Sequence, residues 1–250
     1  GLRLLRNDQR QGLHSLAGAA KIETLQKITA RDIGFVIGPR LNAAGRLESA
    51  LAAYDLLMAD KLEEAAPLAL RLDDQNRMRQ EITTDIQSKA EQLAQAEGAD
   101  YLILAVNPDF NMGVVGLAAA RLVETFYRPA IVGFHGDGFI RASCRSIPEF
   151  HITHALDECA DLLVRHGGHS MAAGFTIEEK NLAEFSEKIK GIAERELSKK
   201  DLRPQLMADL ELPLAEMPGE APRLRALRDR LYAGLCDGLS GVSLNGPALS

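Results

Sequence analysis

The sequence predicts an α/β protein in which a mixed β-sheet follows a long helix and a small helical segment. Two continuous apolar runs, YLILAV at 101–106 and PAIVGF at 129–134, are typical of strands that are buried on both faces. GVVGLAAARLVETF at 113–126 lies between them and predicts a helix. The stretch at 63–97 is mostly charged with a narrow apolar stripe, which predicts one long helix that connects two domains.

Short helices separated by glycine are expected in the first sixty residues. Thr29 or Asp32 is suited to cap a helix, since each offers a side-chain oxygen to free backbone N–H groups. Gly38-Pro39 and Gly45 are expected to break the chain, and the next helix is expected from about Glu48.

The second half of the sheet domain begins after a turn at 135–138. FIRASCRS at 139–146 alternates like a strand, and HITHALDECADLLVRH at 151–166 predicts a helix. GGHSMAAGFTI at 167–177 is expected to start as a tight loop and end as a strand, before an amphipathic helix at 182–200. The order β-α-β-β-α-β-α predicts a mixed sheet with helices on its faces.

Composition narrows the function. Of 250 residues, Lys and Arg make up 29 and Asp and Glu 35, for a net charge of −6. This balance excludes a wholly basic nucleic-acid binder but not one that gathers a few arginines in one cleft. Three cysteines without CxxC spacing suit the reducing cytoplasm and give no zinc signature. The longest apolar runs are too short to span a membrane.

Three clusters could carry chemistry, and the first is 39–46, PRLNAAGR. Arg40 and Arg46 flank Asn42 and other small residues in a predicted turn that leads into a helix. Free N–H groups at a helix start and planar guanidinium groups both suit a phosphate. The alternative is a turn between helices whose arginines pair with neighbouring carboxylates.

The second cluster is the strand at 139–146. Alternation places Arg141, Ser143 and Arg145 on one face and Cys144 on the other. A row of hydroxyl and guanidinium donors could hold a sugar-phosphate backbone, while the alternative is a solvated strand face.

The third cluster is Gly167-Gly168-His169. Two glycines before a histidine could expose successive N–H groups as an anion nest, from which His169 could reach a phosphate. The alternative is that Gly167 simply ends the preceding helix.

Together and in this order, several segments resemble the RecJ family of bacterial single-strand-specific DNA exonucleases, which belongs to the DHH phosphoesterase superfamily. The resemblance extends from about Gly12 to about Leu197. The segments that carry it are DIGFVIGPRLNAAGRL, LDDQNRMRQ, GVVGLAAARL, RPAIV, SCRSIPEFHITHAL and GGHSMAAGF.

The resemblance implies an enzyme of two lobes that acts in DNA repair and recombination. A DHH lobe holds two divalent ions, Mn²⁺ or Mg²⁺, and a long helix joins it to a DHH-associated lobe with the GGH motif, which binds phosphates. Single-stranded DNA threads between the lobes and is cleaved from its 5′ end. The division this implies is 1–60 for the end of the DHH lobe, 61–98 for the helix, 99–200 for the DHH-associated domain and 201–250 unassigned.

The resemblance also implies which residues bind the nucleic-acid phosphates, with His169 as a possible catalytic residue. They are Arg40, Asn42, Arg46, Ser143, Arg145, Ser146, Gly167, Gly168 and His169.

The sequence departs from the family pattern in three ways. Phe110-Asn111-Met112 stands where Trp-His-Pro is usual, and Cys144 stands where the family has glycine. Neither an Asp-His-His triplet nor a DxD motif occurs in the chain. Since two-metal hydrolysis needs several converging carboxylates and imidazoles, we expect this segment to bind substrate but no metal, to be inactive alone, and to follow a catalytic lobe upstream of Gly1.

Two other functions fit the same residues. One is a DHH-family phosphodiesterase for short oligonucleotides, cyclic dinucleotides or nucleotide bisphosphates. The other is a non-catalytic nucleic-acid-binding module.

Overall fold

The computed structural model describes residues 1–7, 10–97 and 100–205. Residues 1–200 form one compact unit. The helices are α1 (Leu2–Leu5), α2 (Gln11–Ala19), α3 (Ala30–Asp32), α4 (Gly38–Leu47), α5 (Leu51–Met58), α6 (Leu62–Glu97), α7 (Val115–Phe126), α8 (Ile152–Asp157) and α9 (Leu182–Leu197). The strands are β1 (Ile103–Asn107), β2 (Ala130–Gly136), β3 (Phe139–Arg145), β4 (Leu163–His169) and β5 (Ala172–Glu178). Within the described ranges, none of the helices combines the length and the apolar character needed to cross a bilayer.

The early helices pack against the first part of α6 around one apolar core. Leu16, Leu56 and Leu72 are fully buried at its centre. Thr29 caps α3, as predicted, in a reciprocal arrangement with Asp32. The Thr29 hydroxyl accepts from the Asp32 N–H, and the Asp32 carboxylate accepts from the Thr29 N–H at 2.8 Å. The Thr29 hydroxyl also donates to the Asp32 carboxylate at 2.7 Å. This bond, followed by the one from the Thr29 N–H, lowers the pKa of Asp32 because both favour its ionised form.

The predicted breaks at Gly38-Pro39 and at Gly45 are both wrong. A π-helical turn at Ile33–Ile37 joins α3 to α4, so the chain stays helical to Leu47. Pro39 lies in the first turn of α4, where a missing N–H is tolerated. The bend comes after α4 instead, and α5 starts at Leu51.

The long helix predicted from the charged stretch is confirmed as α6. Its 36 residues span about 54 Å at 1.5 Å per residue. Ala69 and Leu72 belong to the core of the early helices, whereas Ile86 and Ala90 belong to the core beneath the sheet. The helix therefore contributes to two separate cores. Gly98, the predicted helix end, lies outside the described residues, and the division into 1–60, 61–98, 99–200 and 201–250 stays a prediction.

The mixed sheet predicted by the sequence is confirmed, with strand order β1-β2-β3-β5-β4. β1 and β2 are parallel, and the remaining pairs are antiparallel. α7 and the second part of α6 pack on one face. α8 and α9 pack on the other, where the rings of Phe175 and Phe185 lie 4.7 Å apart. Asp137 and Gly138 both have positive φ, which is typical of the tight turn that joins β2 to β3.

The predicted helix at 151–166 and the predicted GGH loop are both corrected by the structure. The helix ends at Asp157, a short 3₁₀ turn follows at Ala160–Leu162, and β4 begins at Leu163. Gly167, Gly168 and His169 therefore lie on a strand, and the turn comes after them. β4 is therefore a strand whose first half the sequence assigns to the end of a helix and whose second half it assigns to a loop.

A β-bulge near the start of β4 decides which way its side chains point. Leu163 pairs with Ile177 and Arg165 pairs with Thr176, so Val164 is an extra residue in β4. In a regular strand Leu163 and Arg165 would point to the same face. The extra residue instead directs Leu163 toward the core side and Arg165 toward the opposite face.

Candidate functional site

The face of β3, β5 and β4 that points away from α8 and α9 is polar and accessible. We call it the open face. Register aligns three rows of side chains across its three strands. The rows are Arg141–Thr176–Arg165, Ser143–Gly174–Gly167 and Arg145–Ala172–His169.

The open face begins where α7 stops covering the sheet. Ala130 and Val132 of β2 are fully buried in the core that α7 forms. At Gly116 the helix approaches β3 so closely that a Cβ would lie 3.1 Å from Arg145 Nη2 and 3.3 Å from Ser143 Oγ. Glycine at this position therefore leaves room for both side chains beside the helix.

The three arginines of the open face have no carboxylate partner within 4.0 Å among the described residues. The Arg165 Nε–H donates to Thr176 Oγ1 at 3.2 Å, and Arg145 Nη1 donates to the Cys144 carbonyl at 2.8 Å. Arg195, in contrast, pairs with Glu158 on the other side of the domain. Guanidinium groups that share a surface without carboxylates repel one another, so an anion that binds there relieves the repulsion.

A groove of about 340 Å³ runs over the open face. Small residues form its floor, and donors form its sides. Its lining includes Met112, Arg141, Ser143, Arg165, Gly167, Gly174 and Thr176. Because Gly167 and Gly174 carry no side chain, an extended ligand can approach the sheet backbone between the arginines.

The two glycines of the GGH motif have different roles. A Cβ at Gly167 would meet nothing within 4 Å, so this glycine keeps the groove open. Gly168 has a φ of +153°, and a Cβ there would lie 2.4 Å from both the Ala172 carbonyl oxygen and the Ala173 Cα. Gly168 is therefore required for the pairing of β4 with β5. Neither the anion-nest loop nor the helix stop considered from the sequence is present at these described residues.

The structure brings four of the predicted phosphate-binding residues to the open face: Ser143, Arg145, Gly167 and His169. Ser146 is not among them, since it is buried and its hydroxyl donates to the Phe150 carbonyl at 2.7 Å.

The predicted residues of 39–46 separate into two groups. Arg40 Nε donates to Asp73 Oδ1 at 2.8 Å and Nη1 to the Val36 carbonyl at 2.8 Å, which is the carboxylate pairing considered as the alternative. Asn42 is exposed on α4. The sequence predicts both arginines in a turn that leads into a helix. This prediction is wrong, because both lie within α4.

The side chain of Arg46 lies next to the open face. Its Nη1 donates to the Gly113 carbonyl at 3.3 Å, and a Cβ at Gly113 would lie 1.9 Å from the Arg46 carbonyl oxygen. Gly116, which touches Arg145, is one helical turn further along the chain. The end of α4 and the start of α7 are thus in backbone contact, and Arg46 lies on the Arg145 side of the open face.

Sequence reasoning missed Arg165 and Thr176 as site residues. Arg165 falls within a predicted helix, where its side chain has no defined relation to β3. The signal that could have found it is the alternation Arg165-x-Gly167-x-His169, which is the pattern of a strand with one accessible face.

Cys144 lies on β3 between Ser143 and Arg145 but points into the core. It is fully buried, and burial raises the pKa of its thiol to about 12. The thiol is therefore protonated and shielded, and the departure from glycine at this position does not alter the open face.

No group of three or more His, Cys, Asp or Glu side chains in the described part of the chain could hold a metal ion. The described residues thus do not fit a two-metal site. The chemistry that the open face itself offers is the binding of anions.

Residues 98–195 match the DHHA1 domain family. The chain is 36% identical over 213 residues to the single-stranded-DNA-specific exonuclease RecJ of Bacillus subtilis, which covers 84% of this chain and 27% of that protein. It is 36% identical over 230 residues to the RecJ of Escherichia coli, which covers 88% of this chain and 39% of that protein. The chain thus spans between about a quarter and two fifths of the length of these relatives.

Solved structures agree with these matches. RecJ from Thermus thermophilus in complex with Mg²⁺ is similar with a TM-score of 0.68 and 32% identity, over 78% of this chain and 30% of that one. A structure of exonuclease RecJ bound to manganese has a TM-score of 0.68 and 31% identity, over 81% of this chain and 51% of that one. The resemblance to RecJ and the mixed-sheet fold predicted from the sequence are both confirmed.

Proposed function

We propose that this chain, which contains a DHHA1 domain at 98–195 and is related to RecJ over most of its length, supplies the phosphate-binding surface of a single-stranded-DNA-specific exonuclease. The relatives named RecJ are exonucleases with that specificity. Digestion from the 5′ end and a role in DNA repair and recombination belong to the same proposal.

The proposal is carried by one observation, the unpaired state of the arginines on the open face with respect to carboxylates. Arg141, Arg145 and Arg165 surround a glycine floor and have no carboxylate partner among the described residues. Arg46 adds a fourth guanidinium at the Arg145 end. A phosphodiester backbone supplies one negative charge per nucleotide along an extended path, which matches a groove lined on both sides by donors.

The proposed division of labour follows from the residue types. The four arginines, Arg46, Arg141, Arg145 and Arg165, neutralise phosphates. Ser143 and His169 donate further hydrogen bonds, and Gly167 lets the strand lie close to the sheet. Phosphates carry no sequence information, so binding through these contacts is expected to be independent of sequence. Met112, which is exposed at the groove, offers an apolar contact to sugars or bases.

Hydrolysis is assigned to groups other than these. RecJ structures have been solved with Mg²⁺ or Mn²⁺, and we propose that the full-length protein uses such ions. The described residues contain no set of ligands for them, so the part that this chain plays is to bind and orient the strand.

Replacement of Arg145 by alanine tests the proposal. Loss of one charged hydrogen-bond donor is expected to weaken binding of single-stranded DNA about tenfold, by a similar factor for every base composition. The dependence of the binding constant on salt should also flatten by about 0.7, the slope for one phosphate contact on a single strand. Fluorescence anisotropy with labelled oligonucleotides over a range of salt concentrations measures both.

Arg195→Ala is the matched control, because Arg195 is exposed and already paired with Glu158 on the other side of the domain. It should bind like the unmodified chain. If Arg145→Ala and Arg195→Ala have the same affinity and the same salt slope, the open face does not bind phosphates.

A further inference from the structure

A second group of arginines lies where three helices meet. Arg46 lies in the last turn of α4, Arg79 lies near the middle of α6, and Arg121 lies on α7. Desolvation and then the charges of Arg46 and Arg121 lower the pKa of Arg79. The hydrogen bond from Gln75 Nε2 to Glu48 at 2.9 Å brings the end of α4 against this part of α6, so Arg46 and Arg79 share one region although they belong to different helices.

Arg79 is held in place by its own helix. The side chain is half-buried, and its Nη2 donates to the Asn76 Oδ1 at 2.8 Å. Its Nε is buried without a hydrogen-bond partner among the described residues. One turn earlier, Gln75 is 7% exposed and its Oε1 is also buried without a partner in the described ranges. A buried polar group that stays unpaired lowers the stability of the fold, so this polar cluster is not explained by packing alone.

The carboxylates near this cluster are already paired with other groups. Asp73 accepts from Arg40 at 2.8 Å, and Glu48 accepts from Arg71 at 2.5 Å and from Gln75 Nε2 at 2.9 Å. Neither Arg46 nor Arg79 has a carboxylate within 4.0 Å in the part of the chain that the structure describes. Arg121 pairs with Glu124 at 3.4 Å, so the two charges of the cluster without a described carboxylate partner are those of Arg46 and Arg79.

The cluster is continuous with the open face. Arg46 donates to the Gly113 carbonyl, and Gly116, three residues later, contacts Arg145. Arg79, Arg46 and Arg145 therefore follow one another from α6 to β3, along the start of α7. A strand held on the open face that extends past Arg145 would next meet Arg46 and Arg79.

We propose that Arg79, together with Arg46, binds a second phosphate of the same single strand, adjacent to the phosphate held by Ser143 and Arg145. This inference rests on the proposed function of the open face. A phosphate supplies the missing negative charge and accepts hydrogen bonds from two guanidinium groups at once. A neutral ligand would leave the repulsion between Arg46 and Arg79 unrelieved.

Arg79→Gln tests this proposal against Arg77→Gln. Arg77 lies two residues away on the same helix but is exposed and paired with Asp73 and Asp74. With 5′-phosphorylated oligo(dT) as the probe, Arg79→Gln should weaken binding about tenfold and flatten the salt slope by about 0.7, as expected for one lost phosphate contact. Arg77→Gln should change neither quantity. A merely structural role for Arg79 would not alter the salt slope, so an unchanged slope overturns the proposal.

Arg79→Lys is the second variant, because it keeps the charge but loses the planar fork. It should keep the salt slope and bind severalfold more weakly. If Arg79→Gln does not fold, an Arg79→Lys variant with unchanged affinity overturns the proposal by itself.

Arg145→Ala in the same titration separates the two proposals. If Arg145→Ala weakens binding and Arg79→Gln does not, only the second phosphate contact is wrong. If neither weakens binding, the proposed function of the open face fails.

Discussion

The β1–β2 half and the β3–β5–β4 half of one sheet face differ in what lies over them. In the first half, Ile103, Ala130 and Val132 are fully buried beneath α7 and the second part of α6. In the second half the corresponding positions hold arginines, glycines and hydroxyl groups. α7 passes beside Ser143 and Arg145 of β3, and the groove lies beyond it. We call the first the covered half. The backbone is continuous across both, so the site is created where the covering layer ends.

The difference is visible in the strand sequences. β1 and β2 are apolar at successive positions because both of their faces are packed. β3 alternates between buried and accessible residues because only one face is packed. A strand that alternates next to strands that do not therefore marks the edge of a covering layer, and that edge is where a binding surface is to be sought.

The largest expected effect is on the covered half. Leu122 of α7 is fully buried, and Leu122→Ala should lower the free energy of unfolding by about 2–5 kcal/mol, because it removes buried methyl groups and leaves a cavity. Arg141→Ala on the open face should change it by less than about 0.5 kcal/mol, since a surface side chain is removed. Urea denaturation measures both variants.

The two variants should rank the other way in their affinity for single-stranded DNA. Arg141→Ala should bind DNA more weakly than the unmodified chain, whereas the folded fraction of Leu122→Ala should bind with unchanged affinity. If Arg141→Ala destabilises the fold as much as Leu122→Ala does, the two halves are not distinct in the way described.

The next effect distinguishes two neighbouring glycines of β4. Gly168→Ala should lose about 1–3 kcal/mol of stability from backbone strain, because alanine disfavours a φ of +153° and its Cβ would overlap the backbone of β5. Gly167→Ala should fold normally, since its Cβ points into open space. Thermal unfolding of the two variants provides the comparison.

Gly167→Glu extends this test to binding. It should fold like Gly167→Ala and bind single-stranded DNA at least about tenfold more weakly, because it introduces a negative charge between the arginines. Equal DNA affinity of Gly167→Glu and Gly167→Ala would contradict the assignment of the groove.

The smallest effect concerns the buried thiol of β3. Burial raises the pKa of Cys144 to about 12, so the folded state keeps a proton that the unfolded chain releases above about pH 8.5. The stability this thiol contributes is fully present below that pH and decreases as the pH rises toward the folded value. By about pH 9.5 the loss should reach about 1 kcal/mol. Cys144→Ala should reduce this alkaline loss, which urea denaturation at a series of pH values measures.

Alkylation checks the same point by a direct comparison of neighbours. In a background with Cys159→Ala and Cys236→Ser, native Cys144 should react with iodoacetamide at least about 100-fold more slowly than a cysteine introduced by Ser143→Cys. Similar rates would show that the two faces of β3 are equally accessible.

The sequence is sufficient for elements whose apolar patterns are set by burial. The sequence predicts β1 and β2 from continuous apolar runs, because both of their faces are packed. It predicts α7 and α9 from the helical spacing of their apolar residues, and β3 from its alternation, because only one of its faces is packed. α6 is predicted because a mostly charged helix with a narrow apolar stripe is typical of a connector between two domains. These patterns depend on local contacts, which a single sequence records.

β4 could not be predicted because it is an edge strand with few buried side chains. Its exposed Val164 and Arg165 follow directly after an apolar helical pattern, and its glycines are typical of a turn. The separation of Arg40 from Arg46 also depends on tertiary structure, since only the fold brings Asp73 to Arg40. The sequence allows the carboxylate pairing and the phosphate contact for both, and the chain adopts the pairing for Arg40.

The extra residue at Val164 lets two strands of unequal length share one register. Without Val164, Leu163 and Arg165 would be adjacent in a regular strand, and their pairing with Ile177 and Thr176 would keep them on the faces that they now occupy. An insertion or deletion between Arg165 and His169, in contrast, would exchange the faces of the residues beyond it, with every remaining amino acid unchanged. The bulge is therefore a position where β4 can shorten by one residue without a change in the groove.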